Sequence, residues 1–291
     1  MHPFEYLPAR NLTEAISALA RHGDRARAFA GGTDLLVQLR GGRYELDAIV
    51  DLKRIPEVME LRLDGDGLHI GAALPCYRLY EDEAIAKAYP GIIDGASVIG
   101  GTQIQSRASL GGNLCNATPS ADGIGPLIVH SASAVITGTE GTYSVPVEGF
   151  CTGPGTHVLR QGEILMAIDV PAPASHFGAA YQRFIPRNEM DIAVVGVAAS
   201  LVLNAAGDRI ESAMLALAAV APTPIVATAA ADSLVGKAPT EESFREAGEL
   251  AADASSPIED MRGTIEQRHE LTRVLTRRTL AQAAERAARN R

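Results

Sequence analysis

The sequence predicts an α+β protein with two globular parts. Near its start, a short apolar strand ends in a double glycine and is followed by a helix and a second strand, as in a small α/β unit. The middle of the chain changes to short strands separated by Gly and Asp turns. After a pair of longer strands, the last part is mainly helical. The 291 residues, 46% of them hydrophobic, suit one large domain or two modest ones.

The N-terminal α/β unit has the clearest local pattern. Its predicted elements are a helix at 13–21, a strand at 26–32, a helix at 34–40 and a strand at 48–52. Thr13 is expected to cap the first helix. The double glycine, Gly31 and Gly32, falls where the first strand passes into a helix.

Short strands dominate the middle of the chain. The predicted elements are strands at 61–63, 68–70, 134–136 and 162–171, an alanine-rich helix at 81–89, and a long polar loop without regular structure at 100–122. Pro171 and Pro173 mark a boundary. Beyond it, paired strands at 192–203 and 210–219 precede a helical region. Its last helix is amphipathic and is expected to dock on its own domain or on a partner subunit, with a membrane-surface helix as the less favoured alternative.

Composition excludes several classes of protein. The net charge of −9 repels phosphate backbones, so nucleic acid is not an expected partner. No signal peptide and no apolar run long enough for an integral membrane segment is evident. The three cysteines and seven histidines are scattered without ligand spacing, so no metal site is expected in this chain. Reduced cysteines and a cytoplasmic location are the default expectation.

The first candidate site is the segment Phe-Ala-Gly-Gly-Thr-Asp-Leu at 29–35. Its glycines allow a tight turn that brings backbone N–H groups to one point, and Thr33 adds a hydroxyl, which suits a pyrophosphate. The alternative is a plain strand-to-helix turn, and it is favoured while so short a pattern stands alone. No GxGxxG sequence occurs, which argues against a Rossmann site.

The second candidate site is the polar stretch from Gly100 to Asp122. Ile104, Leu110 and Leu114 recur at apolar spacing and are expected to anchor it. The remaining amides, hydroxyls and carboxamides suit a ligand with many polar groups, such as a dinucleotide. Asp122 is a candidate acceptor for ribose hydroxyls or adenine amine groups. The alternative is a surface Ω-loop without a ligand.

The two sites together resemble the paired FAD-binding signatures of the molybdenum-hydroxylase flavoprotein family. AGGTDLL at 30–36 and SLGGNLCNATPSAD at 109–122 carry the resemblance, and similar segments follow at 162–171, 181–193 and 271–280. The resemblance therefore covers nearly the whole chain. The family includes the medium subunits of aerobic carbon monoxide dehydrogenase and of bacterial N-heterocycle hydroxylases, and the central domain of xanthine dehydrogenase.

The resemblance implies that both loops bind FAD without a covalent bond. In the first loop the implied contacts are Arg27, Ala28, Phe29, Ala30, Gly31, Gly32, Thr33, Asp34 and Leu35, with the amides of 31–33 on the pyrophosphate. In the second loop they are Ser109, Gly111, Gly112, Asn113 and Asn116, with Asp122 on the adenosine side. No catalytic residue is implied in this chain.

Four further contacts are implied outside the two loops. Ile99 is placed near the flavin, and Ile164 and Leu165 beside the adenine or the dimethylbenzene ring, although ordinary strand core is the favoured alternative for these two. Arg183 is placed near the isoalloxazine, where positive charge stabilises the anionic reduced flavin. A surface salt bridge from Arg183 to Glu189 or Asp191 is an equally open alternative.

The implied fold is the FAD-binding fold of the p-cresol methylhydroxylase (PCMH) type. It divides the chain into a FAD-binding domain at 1–175, with α/β subdomains at about 1–57 and 58–172, and a C-terminal flavoprotein domain at 176–291. The C-terminal domain is expected to combine three antiparallel strands with helices and to cover the flavin.

The implied function is electron transfer within a complex, a dimer of heterotrimers. A large subunit would hold the molybdenum cofactor, and a small subunit two [2Fe–2S] clusters that reduce the FAD of this chain. The FAD would then reduce a quinone, NAD or oxygen. One alternative is a stand-alone flavin oxidoreductase of the same fold, but no residue marks a substrate pocket. The other alternative is a flavin-free structural subunit, which the intact glycine motifs disfavour.

Overall fold

The computed structural model describes residues 2–290. Its helices are α1 (Leu12–His22), α2 (Leu35–Arg40), α3 (Tyr77–Tyr80), α4 (Glu83–Ala88), α5 (Pro90–Ala96), α6 (Thr102–Gln105), α7 (Leu110–Asn116), α8 (Ile124–Val129), α9 (Thr228–Asp232), α10 (Glu241–Ala254) and α11 (Ile265–Arg289). Its strands are β1 (Glu5–Pro8), β2 (Ala26–Phe29), β3 (Ala48–Asp51), β4 (Leu61–Asp64), β5 (Gly67–Gly71), β6 (Ser133–Gly138), β7 (Gly141–Pro146), β8 (Cys151–Gly153), β9 (Thr156–His157), β10 (Ile164–Pro171), β11 (Phe177–Phe184), β12 (Val195–Leu203), β13 (Ile210–Ala218) and β14 (Ile225–Val226). This mixture of helices and strands confirms the predicted α+β class.

Three larger sheets organise the chain. The first is parallel, in the order β1-β3-β2. The second is antiparallel, in the order β4-β5-β10-β6-β7, and the third is antiparallel, in the order β11-β12-β13-β14. The strands β8 and β9 form a separate short ribbon. The first two sheets lie in the N-terminal part of the chain and the third in the C-terminal part.

The parallel sheet is covered by α1. Ile16 and Leu19 of this helix are buried in one core with the sheet. Asn11 caps the helix, because its side chain accepts a hydrogen bond from the Glu14 backbone N–H at 2.9 Å. The predicted cap at Thr13 is therefore wrong, since that residue already lies inside the first turn and has no extended backbone from which to cap. At the carboxyl end of β2 the chain turns directly into the segment before α2.

The stretch at 100–122, predicted as an irregular loop, contains the helices α6 and α7, so that prediction is wrong. Ser109 caps α7 by accepting a hydrogen bond from the Gly112 N–H at 3.0 Å. Leu110 and Leu114 lie four residues apart on the helix, and both are buried in the main core. The small polar residues between them concealed a helical apolar spacing, and the expected anchoring by these leucines is confirmed.

The C-terminal sheet is covered by α11, and α10 packs against α11. The long helix α11 packs across β11 and β12, so the expectation that the terminal helix docks on its own domain is confirmed. It comes so close that a Cβ atom at Gly178 would lie 2.2 Å from the Ala283 carbonyl oxygen. The predicted three strands are joined by a fourth, the two-residue β14, which was too short to detect from sequence periodicity.

One carboxylate ties the C-terminal part to the N-terminal part. Asp94, on α5, accepts hydrogen bonds from Arg286 Nη2 at 3.0 Å and Arg286 Nη1 at 2.5 Å. It also accepts a hydrogen bond from the Tyr181 backbone N–H at 3.0 Å. Because the arginine comes from α11 and the amide from β11, both layers of the C-terminal part are attached to the same helix. None of the helices in the described chain combines the length and apolar character that a membrane crossing requires.

Candidate functional site

A long groove runs between the parallel sheet, α7 and the segment before β10. Its cavity volume is about 470 Å³. It is lined by all but two of the residues that the sequence predicts as FAD contacts, namely Arg27, Ala28, Phe29, Ala30, Gly31, Gly32, Thr33, Asp34, Leu35, Ile99, Ser109, Gly111, Gly112, Asn113, Asn116, Ile164 and Leu165. Two loops about 80 residues apart in sequence thus form one concave surface, as is typical of small-molecule sites.

The first loop presents backbone N–H groups. The Ala30 carbonyl accepts a hydrogen bond from Lys53 Nζ at 2.9 Å, and the Gly31 carbonyl accepts one from Arg107 Nε at 3.1 Å. In a planar trans peptide the N–H points opposite to the C=O, so the N–H groups of Gly31 and Gly32 face away from these cations. Neither N–H has a partner among residues 2–290. The loop therefore has two donors available for a ligand.

Both glycines of this loop are required by their surroundings. A Cβ atom at Gly31 would lie 2.0 Å from the Arg107 carbonyl oxygen, so only glycine allows the two loops to approach this closely. Gly32 has a φ of +74°, and a Cβ atom there would lie 2.3 Å from the Phe29 ring. The motif is thus a close crossing of two chain segments as well as a turn.

Helix α7 presents side-chain N–H groups to the same groove. The Asn113 Oδ1 atom accepts a hydrogen bond from the Gly123 N–H at 3.0 Å, and the Asn116 Oδ1 atom accepts one from Gln38 Nε2 at 2.9 Å. Since both amide oxygens are occupied, the two NH₂ groups remain as donors. Neither has a partner in the described part of the chain.

Gly112 leaves room for a ligand beside α7. A Cβ atom at this position would approach only the Ser109 hydroxyl, at 3.0 Å, and would otherwise project into open space. Gly111 differs, because a Cβ atom there would lie 2.4 Å from the Ala72 carbonyl oxygen. One glycine therefore allows α7 to pack on the protein, and the next allows a ligand to approach the helix backbone.

A third wall of the groove was missed by sequence reasoning. It lies within residues 155–161 and includes His157 and Gly155, which has a positive φ angle. Burial lowers the pKa of His157, whose Nδ1 atom is buried without a partner among the described residues. The only signal in the sequence was the Gly-Pro-Gly turn at 153–155, which had no recognised spacing to the other two loops.

Ile164 and Leu165 belong to both the groove and the core. Each is at most 3% exposed, and each packs in a hydrophobic core cluster at the start of β10. The favoured alternative of ordinary strand core is therefore correct for both residues, and both also line the groove. They give this end of the groove an apolar floor.

Asp122 and Arg183 are the two predicted contacts that lie outside the groove lining. Arg183 Nη1 lies 2.5 Å from Asp122 Oδ2, and the Tyr181 hydroxyl donates to Asp122 Oδ1 at 2.7 Å. The alternative of a surface salt bridge to Glu189 or Asp191 is wrong, because the carboxylate partner is Asp122 and the pair is buried. Burial raises the pKa of Asp122 to about 6, and the Arg183 charge opposes that shift.

Asp34 is the one acidic side chain of the first loop that faces the groove. Asp34 is exposed toward solvent, desolvation by the groove walls raises the pKa of its carboxyl, and no described residue donates a hydrogen bond to it. A carboxylate accepts hydrogen bonds from hydroxyl groups but repels a phosphate. The groove therefore has donors for a phosphate, an acceptor suited to a sugar hydroxyl, and an apolar floor for an aromatic ring. This combination fits FAD.

Comparison with known proteins identifies the same ligand. The family described as "FAD binding domain in molybdopterin dehydrogenase" matches residues 2–173, and the family described as "CO dehydrogenase flavoprotein C-terminal domain" matches residues 179–283. The xanthine dehydrogenase FAD-binding subunit of Escherichia coli O157:H7 is 33% identical over 96% of this chain and 95% of its own. The carbon monoxide dehydrogenase medium chain of Hydrogenophaga pseudoflava is 30% identical over 98% of both chains.

A solved structure has the same fold throughout. A chain of the reconstituted CO dehydrogenase from Oligotropha carboxidovorans superposes with a TM-score of 0.93 and 29% identity, covering 98% of this chain and 99% of that one. Fold and groove together define a flavoprotein of the PCMH type. The chain belongs to the family of FAD-binding subunits of molybdenum-dependent dehydrogenases, and the resemblance seen in the sequence is confirmed.

Proposed function

We propose that this chain is the electron-transfer subunit of a molybdenum hydroxylase complex. It would accept electrons from two [2Fe–2S] clusters of a small subunit, which are reduced in turn by a large subunit carrying the molybdenum cofactor. It would pass them to an external acceptor, which is a quinone, NAD or oxygen. Three different chains would assemble as a dimer of heterotrimers in the cytoplasm. Bound FAD supplies the redox chemistry, because flavins exchange electrons one or two at a time.

The observation that carries the proposal is the set of free donors on both sides of one groove. The N–H groups of Gly31 and Gly32 would bind the FAD pyrophosphate from one side, and the NH₂ groups of Asn113 and Asn116 from the other. Asp34 would accept a hydrogen bond from a ribityl or ribose hydroxyl. A ligand with few hydrogen-bond acceptors would leave these donors unpaired and would therefore bind more weakly.

The other groove residues would hold the rings of FAD. Ile164 and Leu165 would pack against the adenine or the dimethylbenzene ring, and Ile99 would lie near the flavin. Asp122 on the adenosine side and Arg183 beside the isoalloxazine remain proposed contacts. Because these two side chains already bind each other in a buried pair, FAD would meet them as a pair and not as two separate charges.

We also propose the division into a FAD-binding domain at 1–175 and a C-terminal domain at 176–291. The two family matches change at a similar point, and the third sheet begins with β11 at Phe177. Within the first domain, the parallel sheet would form a subdomain at about 1–57 and the five-stranded sheet a subdomain at 58–172. The C-terminal domain would cover the flavin.

The experiment that tests this function is purification of the tagged chain from its own cell together with everything that binds to it. The proposal expects a larger and a smaller chain on the gel, molybdenum and iron in the preparation, and bleaching of the flavin absorbance when the substrate of the complex is added. A yellow chain that purifies alone and oxidises its own substrate would favour the stand-alone flavin oxidoreductase. A colourless chain in the same complex would favour the structural subunit.

A further inference from the structure

Two cations contact the first loop from outside the groove. Lys53 and Arg107 do not line the groove, but each donates a hydrogen bond to a carbonyl of the double-glycine motif, Lys53 to Ala30 and Arg107 to Gly31. Neither residue belongs to the two motifs that carry the family resemblance at the level of sequence. The two carbonyls are consecutive, so two successive peptide groups have a cation on one side and the groove on the other.

We infer that Lys53 and Arg107 are positioning residues for the FAD pyrophosphate. By binding the carbonyl side of two successive peptides, they turn the N–H groups of Gly31 and Gly32 toward the groove and polarise them as donors. This inference rests on the proposed binding of the pyrophosphate at this loop. It concerns the affinity for the phosphates of FAD, and no proton or electron passes through either residue.

The two glycines explain why hydrogen bonds to both carbonyls are needed. Gly31 and Gly32 have no side chain to restrict their peptide planes, and glycine adopts both signs of φ with similar ease. Without these hydrogen bonds the two peptide groups would have more orientations open to them, and their donors would have to be ordered each time the ligand binds. A fixed hydrogen bond to each carbonyl fixes the opposite N–H as well, because the peptide group is planar.

Lys53 is itself held in place. Its Nζ atom donates to Asp51 Oδ1 at 2.7 Å and lies 4.3 Å from the centre of the Phe29 ring. The Tyr6 hydroxyl donates to the same carboxylate, on its other oxygen. The ammonium group thus has a defined position relative to β2 and β3, and the Ala30 carbonyl is bound to a rigid part of the first sheet.

Arg107 differs from Lys53 because it adds a net positive charge near the loop. Its guanidinium has no carboxylate partner among the described residues, so its charge is not neutralised locally as that of Lys53 is. A cation that donates a hydrogen bond to a carbonyl oxygen polarises the peptide group and makes its N–H a stronger donor. It also attracts an anion on the far side of the peptide over several ångströms. Arg107 therefore combines geometric restraint with net attraction for the pyrophosphate.

The test compares FAD binding to the full-length chain after Lys53→Met and Arg107→Met. Arg54→Met is the matched control, because Arg54 is an exposed cation beside Lys53 that makes no hydrogen bond to the loop. We expect each test variant to raise the FAD dissociation constant about tenfold, the effect of one weakened hydrogen bond to a charged group. The control should leave the constant within a factor of about two.

A ³¹P NMR spectrum of saturated protein separates this role from a loss of fold. The phosphorus resonances of bound FAD should move toward those of free FAD in both test variants and stay unchanged in Arg54→Met, while melting of the flavin-free chains remains similar. Unchanged affinity and unchanged resonances in the test variants would overturn the inference. An equal loss of FAD affinity in Arg54→Met would also overturn it, because any nearby positive charge would then attract the phosphates equally well. Failure of the unmutated chain to bind FAD would instead overturn the proposed function.

Discussion

The carboxylate of Asp122 and the guanidinium of Arg183 form a buried ion pair, with Oδ2 and Nη1 2.5 Å apart and both side chains at most 10% exposed. The pair joins the segment after α7 to β11 and so connects the wall of the groove with the C-terminal sheet. The Tyr181 hydroxyl completes the site by donating to the other carboxylate oxygen. Buried charges of this kind are costly unless both partners are present.

Replacing one partner of this pair should therefore lower the free energy of unfolding more than replacing both. We expect Arg183→Met to lower the free energy of unfolding by about 3–5 kcal/mol, because Asp122 is left buried without a counter-charge. The double variant with Asp122→Asn should recover part of that loss. Urea denaturation of the wild type, both single variants and the double variant measures the coupling. Strictly additive losses would contradict a direct pair.

The buried side chain of His130 should make the free energy of unfolding depend on pH. Burial lowers its pKa from 6.5 to about 4, with a smaller contribution from the Arg286 charge, so the unfolded chain binds a proton that the folded chain excludes. The stability that this neutral histidine contributes is fully present above pH 6.5 and is lost as the pH falls toward 4. The loss amounts to about 3 kcal/mol for a shift of this size.

Urea unfolding at several pH values between 4 and 7 tests this dependence. In His130→Gln the free energy of unfolding should fall less steeply on acidification than in the wild type. His2→Gln, which replaces an exposed histidine, is the comparison variant. Parallel curves for the wild type and His130→Gln would contradict the prediction, because they would show that His130 binds its proton equally well in the folded and unfolded chains.

Gly31→Ala should disturb the folded chain itself. The added methyl group would lie 2.0 Å from the Arg107 carbonyl oxygen, so one of the two loops must move. We expect a loss of about 1–3 kcal/mol in the free energy of unfolding of the flavin-free protein, as for other overpacked sites. Gly65→Ala is the control, because a Cβ atom there meets nothing within 4 Å, and it should stay within about 0.5 kcal/mol of the wild type. Equal stability of the two variants would refute the close crossing.

Gly112→Ala should weaken FAD binding but leave the folded chain stable, in contrast to Gly31→Ala. Its methyl group would project into the groove and approach only the Ser109 hydroxyl, so the flavin-free protein should melt at or slightly above the wild-type temperature, since alanine favours helix by up to about 1 kcal/mol. The FAD dissociation constant should rise about 5- to 100-fold, because the methyl group takes space that the ligand needs. Titration by flavin fluorescence measures it. A stable variant with unchanged FAD affinity would place the ligand elsewhere.

The sequence was informative where function requires glycine and small polar residues. The two motifs at 29–35 and 109–122 are each contiguous in sequence, and every contact implied within them except Asp122 lines one groove. The longer elements with a regular apolar period, such as α1, β10, β12 and β13, were also visible, whereas short elements such as β1, β14 and α6 were not. The family assignment followed from the same motifs.

Contacts between distant segments were not visible in the sequence. Lys53 and Arg107 contribute through single hydrogen bonds to backbone carbonyls, which leave no residue pattern. The pairing of Arg183 with Asp122, 61 residues away, depends on how β11 packs beside α7 and α8. The helix α7 was concealed by its glycines, although Ser109 caps it and the buried Leu110 and Leu114 have helical spacing.

The flavin content of the purified chain decides whether the groove binds FAD. Absorbance before and after acid precipitation, with chromatography of the supernatant, gives the identity of the flavin and its ratio to protein. The groove and its free donors predict one FAD per chain, released by acid because no covalent bond holds it. A chain that contains no flavin, and binds none when FAD is supplied in excess, would contradict the account.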